Sequence, residues 1–312
     1  MQKENNKILA ERIKAEALHL GFCACGISRL APMHKEQKYL EKWLANNYHA
    51  SMSYMERNID KRTNPLILVP GAKTVVSVLM NYKPAEKLSD DKEKISCYAY
   101  GLDYHDVVKD RLYQLLEILK KETALSVSRV FVDSAPVFDK AMAQQSGLGW
   151  IGKNTCLINR DFGSFTFIGE IITDADLPAD QPFDKDFCGT CTKCIDACPT
   201  GALKEAYVLD ANKCISYQTI ENRAEILPSA LDLNGWIYGC DICLDVCPWN
   251  KKTLSHSISE FELSEELSRD FEWESLTQEK FDALFRLSPV KRLGYKLLKR
   301  NIEKANSKLN SK

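Results

Sequence analysis

Eight of the twelve cysteines lie in one short stretch of the chain, between residues 188 and 247. The first four follow the bacterial ferredoxin pattern C-x2-C-x2-C-x3-C-P, in which three close thiolates hold one cluster and the fourth reaches another. A lone cysteine and a C-x2-C-x3-C-P run supply the other four, which completes the ligand count of two 4Fe–4S clusters. In chain order they are Cys188, Cys191, Cys194, Cys198, Cys214, Cys240, Cys243 and Cys247.

Crossed ligation assigns each thiolate to one of two clusters. The last cysteine of each run binds the other run's cluster, and Cys214 is the only unassigned thiol nearby to complete the second set. Zinc is the main competing interpretation, because C-x2-C pairs also build tetrahedral sites, but zinc has no use for the Cys-Pro endings. The first-cluster group is then Cys188, Cys191, Cys194 and Cys247, and the second-cluster group is Cys198, Cys214, Cys240 and Cys243.

The length of 312 residues corresponds to about two domains, and the 45% apolar content is enough to build real cores. No apolar run approaches the roughly 18 residues of a membrane span, and the charged first residues contain no apolar signal core. Cysteines in spaced groups more often bind metal than form disulfides, and metal-binding thiolates are typical of a reducing compartment. We therefore expect a soluble, cytoplasmic protein with no membrane contact, and we expect it to be a monomer.

Hydrophobic patterning predicts an α+β fold. The β-branched run 73–82 indicates a strand buried on both faces, 105–121 a long helix and 128–132 a second buried strand, while 156–173 has the alternation of a hairpin. Strands alternating with helices predict an α/β domain over residues 1–175. A ferredoxin-like two-cluster domain is predicted at 176–255, followed by a short helical basic tail at 256–312.

The tail is the most basic part of the chain. From Arg286 to Lys312 there are nine bases against one acid, Glu303. Such a segment can follow a phosphate backbone, because neutralising phosphates releases counterions. The alternative, a solvated helix face, has equal weight from the sequence alone. Ser288-Pro289 is expected to start the last helix.

Three segments of the first 175 residues have the composition of a chemical site. Asp103-Tyr104-His105 stands at a helix start, where Asp103 is alternatively only an N-cap. Asp133 ends an apolar strand; we expect burial to raise its pKa, as suits a general acid, although it is alternatively a cap. The third segment, residues 147–154, has three glycines that permit close backbone approach to a large ligand, but it matches no phosphate-binding motif.

Read together, these segments resemble the epoxyqueuosine reductase family, and the resemblance covers about residues 1–300. Several of the matching motifs are shared with few other proteins. They are Tyr54 to Asn58, Pro70 to Lys73, Gly101 to His105, Val132 to Pro136, Gly147 to Asn154, Cys198 to Ala202, Cys214 to Tyr217, Thr219 to Glu221, Gly239 to Asp241 and Cys247 to Asn250. The chain looks like a short form of the family, without the C-terminal helical repeats that bind tRNA in some members.

The resemblance implies reduction of epoxyqueuosine to queuosine at the tRNA wobble position. It implies a cobalamin between the N-terminal domain and the cluster domain, fed by the nearer cluster, with Asp133 as proton donor. An unidentified donor would supply the electrons, and the tRNA anticodon stem-loop would be the partner. The implied cobalamin contacts are Arg57, Cys97, Asp133, Lys153, Asn154 and Ser216. The implied substrate contacts are Tyr104 and His105, together with the tail residues Arg292, Lys296 and Arg300.

Three other functions stay open at this point. A reductive dehalogenase-like enzyme also joins cobalamin to two clusters, but it usually carries a twin-arginine export signal, which this start lacks. A two-cluster electron carrier would have little use for the large domain in front of the cysteines. A zinc-dependent RNA-binding module would bind no iron.

Overall fold

The computed structural model describes residues 2–88, 93–267 and 271–309. Its α-helices are α1 (Gln2–His19), α2 (His34–Ala45), α3 (Ile59–Thr63), α4 (Pro65–Leu68), α5 (Tyr104–Glu122), α6 (Asp139–Gln145), α7 (Lys193–Asp196), α8 (Ile215–Ile220), α9 (Ile242–Asp245), α10 (Pro248–Lys251), α11 (Gln278–Leu284) and α12 (Tyr295–Leu309). Its strands are β1 (Ala24–Arg29), β2 (Thr74–Asn81), β3 (Lys94–Ile95), β4 (Ser128–Phe131), β5 (Trp150–Ile151), β6 (Leu157–Ile158), β7 (Thr166–Thr173), β8 (Leu203–Glu205), β9 (Val208–Leu209) and β10 (Trp236–Tyr238).

A four-stranded antiparallel sheet in the order β1-β2-β7-β4 forms the centre of the first half. Every residue of β2 is buried, as the continuous β-branched run predicts. Even-numbered residues such as Val76 face α1 and α5, and odd-numbered residues such as Val75 and Leu79 face the α6 side. Helices therefore cover both faces, which confirms the mixed helix and sheet fold class.

The predicted hairpin over 156–173 is wrong in its pairing. β6 pairs with β5, and β7 lies between β2 and β4. Only one isolated bridge, Asn159 to Gly163, joins the two halves of the expected hairpin. Apolar and polar residues alternate in this stretch because β6 and β7 are each a paired strand. The alternation does not show which strand each one pairs with.

The cluster region docks on the sheet through a buried amide. The Asn250 side chain accepts a hydrogen bond from the Ser164 backbone N–H at 2.7 Å and donates to the Leu244 carbonyl at 2.7 Å. The Lys83 ammonium, at the end of β2, donates to the carbonyls of Asn250 at 2.8 Å and Thr253 at 2.6 Å. These bonds place the second cysteine run against the sheet.

The C-terminal segment is a packed part of the molecule. Its side chains form a second core with residues 95–100 and β10, and Phe261 enters the core of the sheet. The single last helix predicted from Ser288 is wrong, because Pro289–Arg292 forms a 3-10 turn and Gly294, at φ +86°, separates it from α12. Hydrophobic contacts therefore cross the predicted domain bounds, which remain predictions. In the described part of the chain, every helix is too short or too polar to cross a membrane.

Candidate active site

Electrostatic interactions among the eight cysteines agree with the two groups that crossed ligation assigns, and the ligand assignment stays a prediction. Burial raises the pKa of Cys194, and the nearby Cys188 and Cys247 raise it further. Burial likewise raises the pKa of Cys240 to about 12, with Cys214 and Cys198 acting in the same direction. Among the described residues, no three His, Cys, Asp or Glu side chains converge as they would around a single ion. A 4Fe–4S cluster places one iron behind each thiolate, so its four ligands stand further apart than those of a single ion.

Hydrogen-bond donors surround these sulfurs. Burial raises the pKa of Cys198, but the backbone N–H groups of Leu203, Thr200 and Ala202 outweigh it, together with the Thr200 hydroxyl, and lower the pKa overall. Donors of this kind stabilise negative charge on a metal-bound thiolate. The donor set therefore fits a cluster.

A cavity of about 300 Å³ lies between the sheet and the cysteine region. Its sheet side includes Tyr104 and Asp133, and its cluster side includes Ser216 and Cys240. Since Cys240 belongs to the second-cluster group, that group borders the cavity directly. A wider depression of about 380 Å³ near Leu102 contains none of the predicted site residues. The other residues that line the 300 Å³ cavity are Tyr82, Ser96, Tyr98, Asp139, Lys140, Cys156, Leu157, Ser164, Thr166, Phe167, Ile168, Asp241 and Leu244.

Asp133 follows β4 in a left-handed conformation, with φ +56°. Aspartate tolerates this region better than most residues, and here it turns the carboxylate toward the cavity. The Tyr104 hydroxyl donates to Asp133 Oδ2 at 2.5 Å, and His105 Nε2 is 3.4 Å from the same oxygen. The hydrogen bond with His105 lowers the pKa of Asp133, that with Tyr104 acts in the same direction, and the opposing effect of burial is smaller. The expected raised pKa of Asp133 is therefore wrong in direction for the ligand-free protein.

His105 is held between two carboxylates and a guanidinium. Its Nδ1 is 2.7 Å from Asp103 Oδ1, and the Arg292 Nη1 atom is 3.2 Å from its Nε2. Burial lowers the pKa of His105, but the hydrogen bonds to Asp103 and Asp133 outweigh it and raise the pKa overall. Asp103 also caps α5, which confirms the N-cap interpretation, while the chemical role of this segment stays a prediction. The two carboxylates thus favour the protonated form of the imidazole beside the cavity.

The implied cobalamin contacts divide into two sets. Asp133 and Ser216 line the cavity, while the other four lie outside its lining. The Lys153 ammonium donates to the carbonyls of Gly189 at 2.6 Å and Cys191 at 2.9 Å, so it contacts the first-cluster loop instead. Cys97 is buried and its backbone N–H donates to Asp241, whereas Arg57 is exposed. Asn154 is buried, and its Nδ2 atom has no partner among the described residues.

The three tail bases have different environments. Arg292 reaches the site, where Nη2 is 2.9 Å from Asp103 Oδ2 and half of the side chain stays exposed. Lys296 is exposed and forms an ion pair with Glu225. Arg300 is buried and donates to the carbonyls of Gln218 at 3.1 Å, Asn222 at 2.9 Å and Ala224. The predicted phosphate contact at Arg300 is therefore wrong, because its guanidinium is used in holding the loop that follows α8.

Curated relatives match nearly the whole chain. A protein of Leadbetterella byssophila named epoxyqueuosine reductase is 51% identical over 295 residues, which cover 94% of this chain and 97% of that protein. The chain belongs to the epoxyqueuosine reductase family. An Escherichia coli member of the same name is 39% identical, with 94% of this chain and 79% of that protein covered. Members of this family are oxidoreductases.

Solved structures of epoxyqueuosine reductases have the same fold. One contains a tRNA-Tyr epoxyqueuosine-modified stem loop and matches with a TM-score of 0.87 at 28% identity, covering 97% of this chain and 82% of that one. Another, from Bacillus subtilis, has an aspartate-bearing catalytic loop swung out of its active site; its TM-score is 0.86 at 28% identity, and 97% of this chain and 82% of that one are covered.

Two family models match separate parts of the chain. The model described as Epoxyqueuosine reductase QueG, DUF1730 matches residues 62–134. The model described as a 4Fe-4S double cluster binding domain matches residues 187–250, which confirms the iron–sulfur interpretation of the cysteine runs against zinc.

Sequence reasoning missed several residues of this reductase site. Asp139, Lys140, Cys156 and Asp241 line the cavity, and each lies within a few residues of a motif that the sequence shows. Burial raises the pKa of Asp139 and of the Cys156 thiol. Asp241 directly follows a cluster cysteine, and this adjacency is the signal that could have found it.

Proposed function

We propose that this chain reduces epoxyqueuosine to queuosine in tRNA, with cobalamin as the cofactor and two 4Fe–4S clusters as the electron source. One observation carries the proposal. A proton-holding network of Asp133, Tyr104 and His105 faces the second-cluster group across one cavity. A reductive removal of oxygen needs both electrons and protons at the same place, and this cavity has a source of each on opposite sides.

The direction of electron flow follows from the positions of the two cysteine groups. Cys240 of the second-cluster group lines the cavity, whereas no first-cluster cysteine is part of the lining. We infer that electrons enter through the first-cluster group, pass to the second and leave toward the cavity. The eight cysteines are the proposed ligands, divided between the clusters as crossed ligation assigns them.

The cavity suits a flat, redox-active cofactor. Tyr82, Tyr98, Tyr104 and Phe167 give it aromatic walls, and Ser216 stands beside the second-cluster group. A reduced cobalamin bound here would supply a strong nucleophile or electron donor toward an epoxide. Asp133 and Ser216 are the proposed contacts inside the lining. Arg57, Cys97 and Asn154 are proposed contacts to parts of the cofactor beyond it, and Lys153 is excluded from this set because it contacts the first-cluster loop.

Loss of the epoxide oxygen as water consumes two electrons and two protons. The contacts of Asp133 lower its pKa and favour its ionised form, whereas those of His105 raise its pKa and favour the protonated imidazole. Filling the cavity excludes water, and desolvation then favours the neutral form of Asp133. We propose that one proton moves from His105 to Asp133 as the site fills, and from Asp133 to the leaving oxygen, and that solvent supplies the second proton through the same pair of residues. Tyr104 orients the carboxylate through its 2.5 Å hydrogen bond.

The tRNA contact is proposed at the cavity side that carries Arg292. This arginine is half-exposed next to Asp103, and Lys296 is exposed at the start of α12, four residues further along the chain. The relative solved with a tRNA-Tyr stem loop supports an RNA partner. We further propose that the protein is cytoplasmic, because the proposed substrate is a cellular tRNA, and that it is a monomer. We keep the proposed domain bounds at residues 175 and 255. An unidentified electron donor is proposed to bind near the first cluster.

Asp133→Asn tests the proposed reaction. The variant keeps the shape of the site but removes the proton carrier, so conversion of epoxyqueuosine to queuosine in tRNA should fall by about 10²- to 10⁴-fold. Iron content and the cobalamin spectrum of the anaerobically loaded protein should not change. Asp110→Asn, on the exposed face of α5, is the matched control and should retain full turnover. Undiminished turnover in Asp133→Asn would remove the residue from the proton path.

A further inference from the structure

The glycine-rich segment 147–154 lies beside the first-cluster group and not in the cavity. Its glycines serve a tight hairpin rather than a ligand. A Cβ on Gly149 would come within 2.2 Å of the Ile158 carbonyl oxygen, and one on Gly152 within 2.4 Å of Ile158 Cδ1. The hairpin of β5 and β6 thereby directs Trp150 and Lys153 toward Cys188.

Trp150 is buried against cluster cysteines. Its side chain is 1% exposed and shares a core with Cys188 and Cys247. The indole N–H has no hydrogen-bond partner in the described part of the chain, and the side chain packs beside Cys188. Buried indole N–H groups usually have a partner, and the sulfur atoms of a cluster held by Cys188 and Cys247 would provide one here.

Lys153 adds a full positive charge. Its ammonium donates to the Gly189 carbonyl at 2.6 Å and to the Cys191 carbonyl at 2.9 Å, and both carbonyls belong to the loop that carries Cys188. One segment therefore places an indole and a cation beside the same cysteine group.

Aromatic rings close this side of the cluster to water. The Trp150 ring centroid is 5.5 Å from Phe183, 5.3 Å from Phe187 and 4.9 Å from Trp249. Exclusion of water disfavours the reduced cluster, which carries one more negative charge than the oxidised form. Donors to sulfur and a nearby cation act in the opposite direction, because they stabilise added negative charge.

We propose that Trp150 and Lys153 raise the reduction potential of the first cluster and so make it able to accept an electron. The step is a one-electron transfer from the external donor protein to the cluster, in which no atom moves and the cluster's net charge becomes more negative by one. The proposal rests on the cluster ligands given under the proposed function.

Trp150→Phe and Lys153→Met test this role. Each protein is reconstituted anaerobically with iron and sulfide, without cobalamin, and titrated with dithionite under EPR detection. Trp150→Phe keeps a buried ring but loses the N–H, and Lys153→Met keeps the stem but loses the charge. One of the two midpoint potentials should become more negative in each variant, by about tenfold in the equilibrium constant, or ~59 mV for one electron. The other potential serves as an internal reference.

Lys153→Arg and Trp249→Phe are the matched controls. Lys153→Arg retains the charge and should retain the potential. Trp249→Phe removes an indole from the same aromatic group but leaves Trp150 and Lys153 in place, and it should shift neither potential. Unmoved potentials in both test variants, or equal shifts of both clusters, would overturn the proposal.

Iron content distinguishes a failure of this proposal from a failure of the proposed cluster ligands. A wild-type protein with fewer than about eight irons would contradict the ligand set itself. If Trp150→Phe alone fails to bind the first cluster, the midpoint potentials of Lys153→Met and Lys153→Arg are compared instead. A more negative potential in Lys153→Met than in Lys153→Arg supports the proposal, and equal potentials overturn it. Loss of the first cluster in both Trp150→Phe and Lys153→Met would overturn the proposal, since the two residues would then serve assembly and not potential.

Discussion

At the scale of single residues, the proposed proton path depends on His105 as well as on Asp133. The sequence places Asp133 at a strand end, which the structure matches, but the direction of its pKa shift is not a local property of the chain. That direction depends on Tyr104 and His105, which are adjacent in sequence to each other but 28 or more positions from Asp133. Only the fold brings them to the same carboxylate.

Asp103→Asn tests whether His105 carries the working proton. The hydrogen bond to Asp103 raises the pKa of His105, so its removal should lower that pKa. His105 carries its proton at pH values below its pKa and loses the proton as the pH rises through that pKa. The fall of kcat at high pH should therefore move to lower pH in the variant. Asparagine keeps the N-cap of α5. A pH profile identical to that of the wild type would contradict the role of His105.

At the scale of elements, strands and helices with a strong pattern were predictable and pairings were not. The buried run of β2 and the amphipathic run of α5 carry their own signals, and both elements are confirmed within a few residues. The sequences of β6 and β7 predict one hairpin because apolar and polar residues alternate in each. In the structure β6 pairs with β5 and β7 pairs with β2. The mid-strand residue Glu170 could not be predicted as buried from its type, since a glutamate normally marks an exposed position.

Glu170 on β7 gives a pH test of the sheet. Its side chain is fully buried, both carboxyl oxygens lack a partner in the described residues, and burial raises its pKa well above the usual value. The folded protein therefore keeps a proton that the unfolded chain loses above about pH 4.3. Stability from this group is complete below that pH and is lost as the pH rises toward the folded pKa, by up to about 1.4 kcal/mol for each pH unit.

Glu170→Gln cannot lose this proton. Its free energy of unfolding, compared with that of the wild type by anaerobic urea denaturation, should become relatively more favourable between pH 5 and pH 8. Asp176→Asn, at an exposed carboxylate paired with Arg29, is the control and should show no such trend. A difference between Glu170→Gln and wild type that stays constant with pH would mean that Glu170 is ionised in the folded protein.

At the scale of the whole molecule, the function depends on three segments that meet at one cavity. The cysteine spacing was sufficient to predict two clusters, because ligand spacing is a local property of the chain. The position of the basic tail was not predictable, because its packing on residues 95–100 and β10 is a tertiary property. Arg292 thereby joins a histidine 187 positions earlier in the chain, whereas Arg300 is turned into the interior.

This division among the tail bases predicts which of them contribute to the salt dependence of tRNA binding. The double variant Arg292→Gln, Lys296→Glu removes two tail bases that remain exposed near the cavity. For each phosphate that is then no longer neutralised, the slope of log K against log salt should flatten by about one. Anticodon stem-loop binding, measured between low and moderate salt, is the readout.

Lys120→Glu is the control for this measurement, because Lys120 lies 16 residues from the start of α5, roughly 24 Å along the helix. Its substitution changes the net charge of the protein without touching the cavity side that carries Arg292. An equal flattening of the slope in Lys120→Glu would indicate a general charge effect. An unchanged slope in the double variant would mean that the tail does not contact phosphates, and the anticodon stem-loop would then have to be held by other parts of the cavity rim.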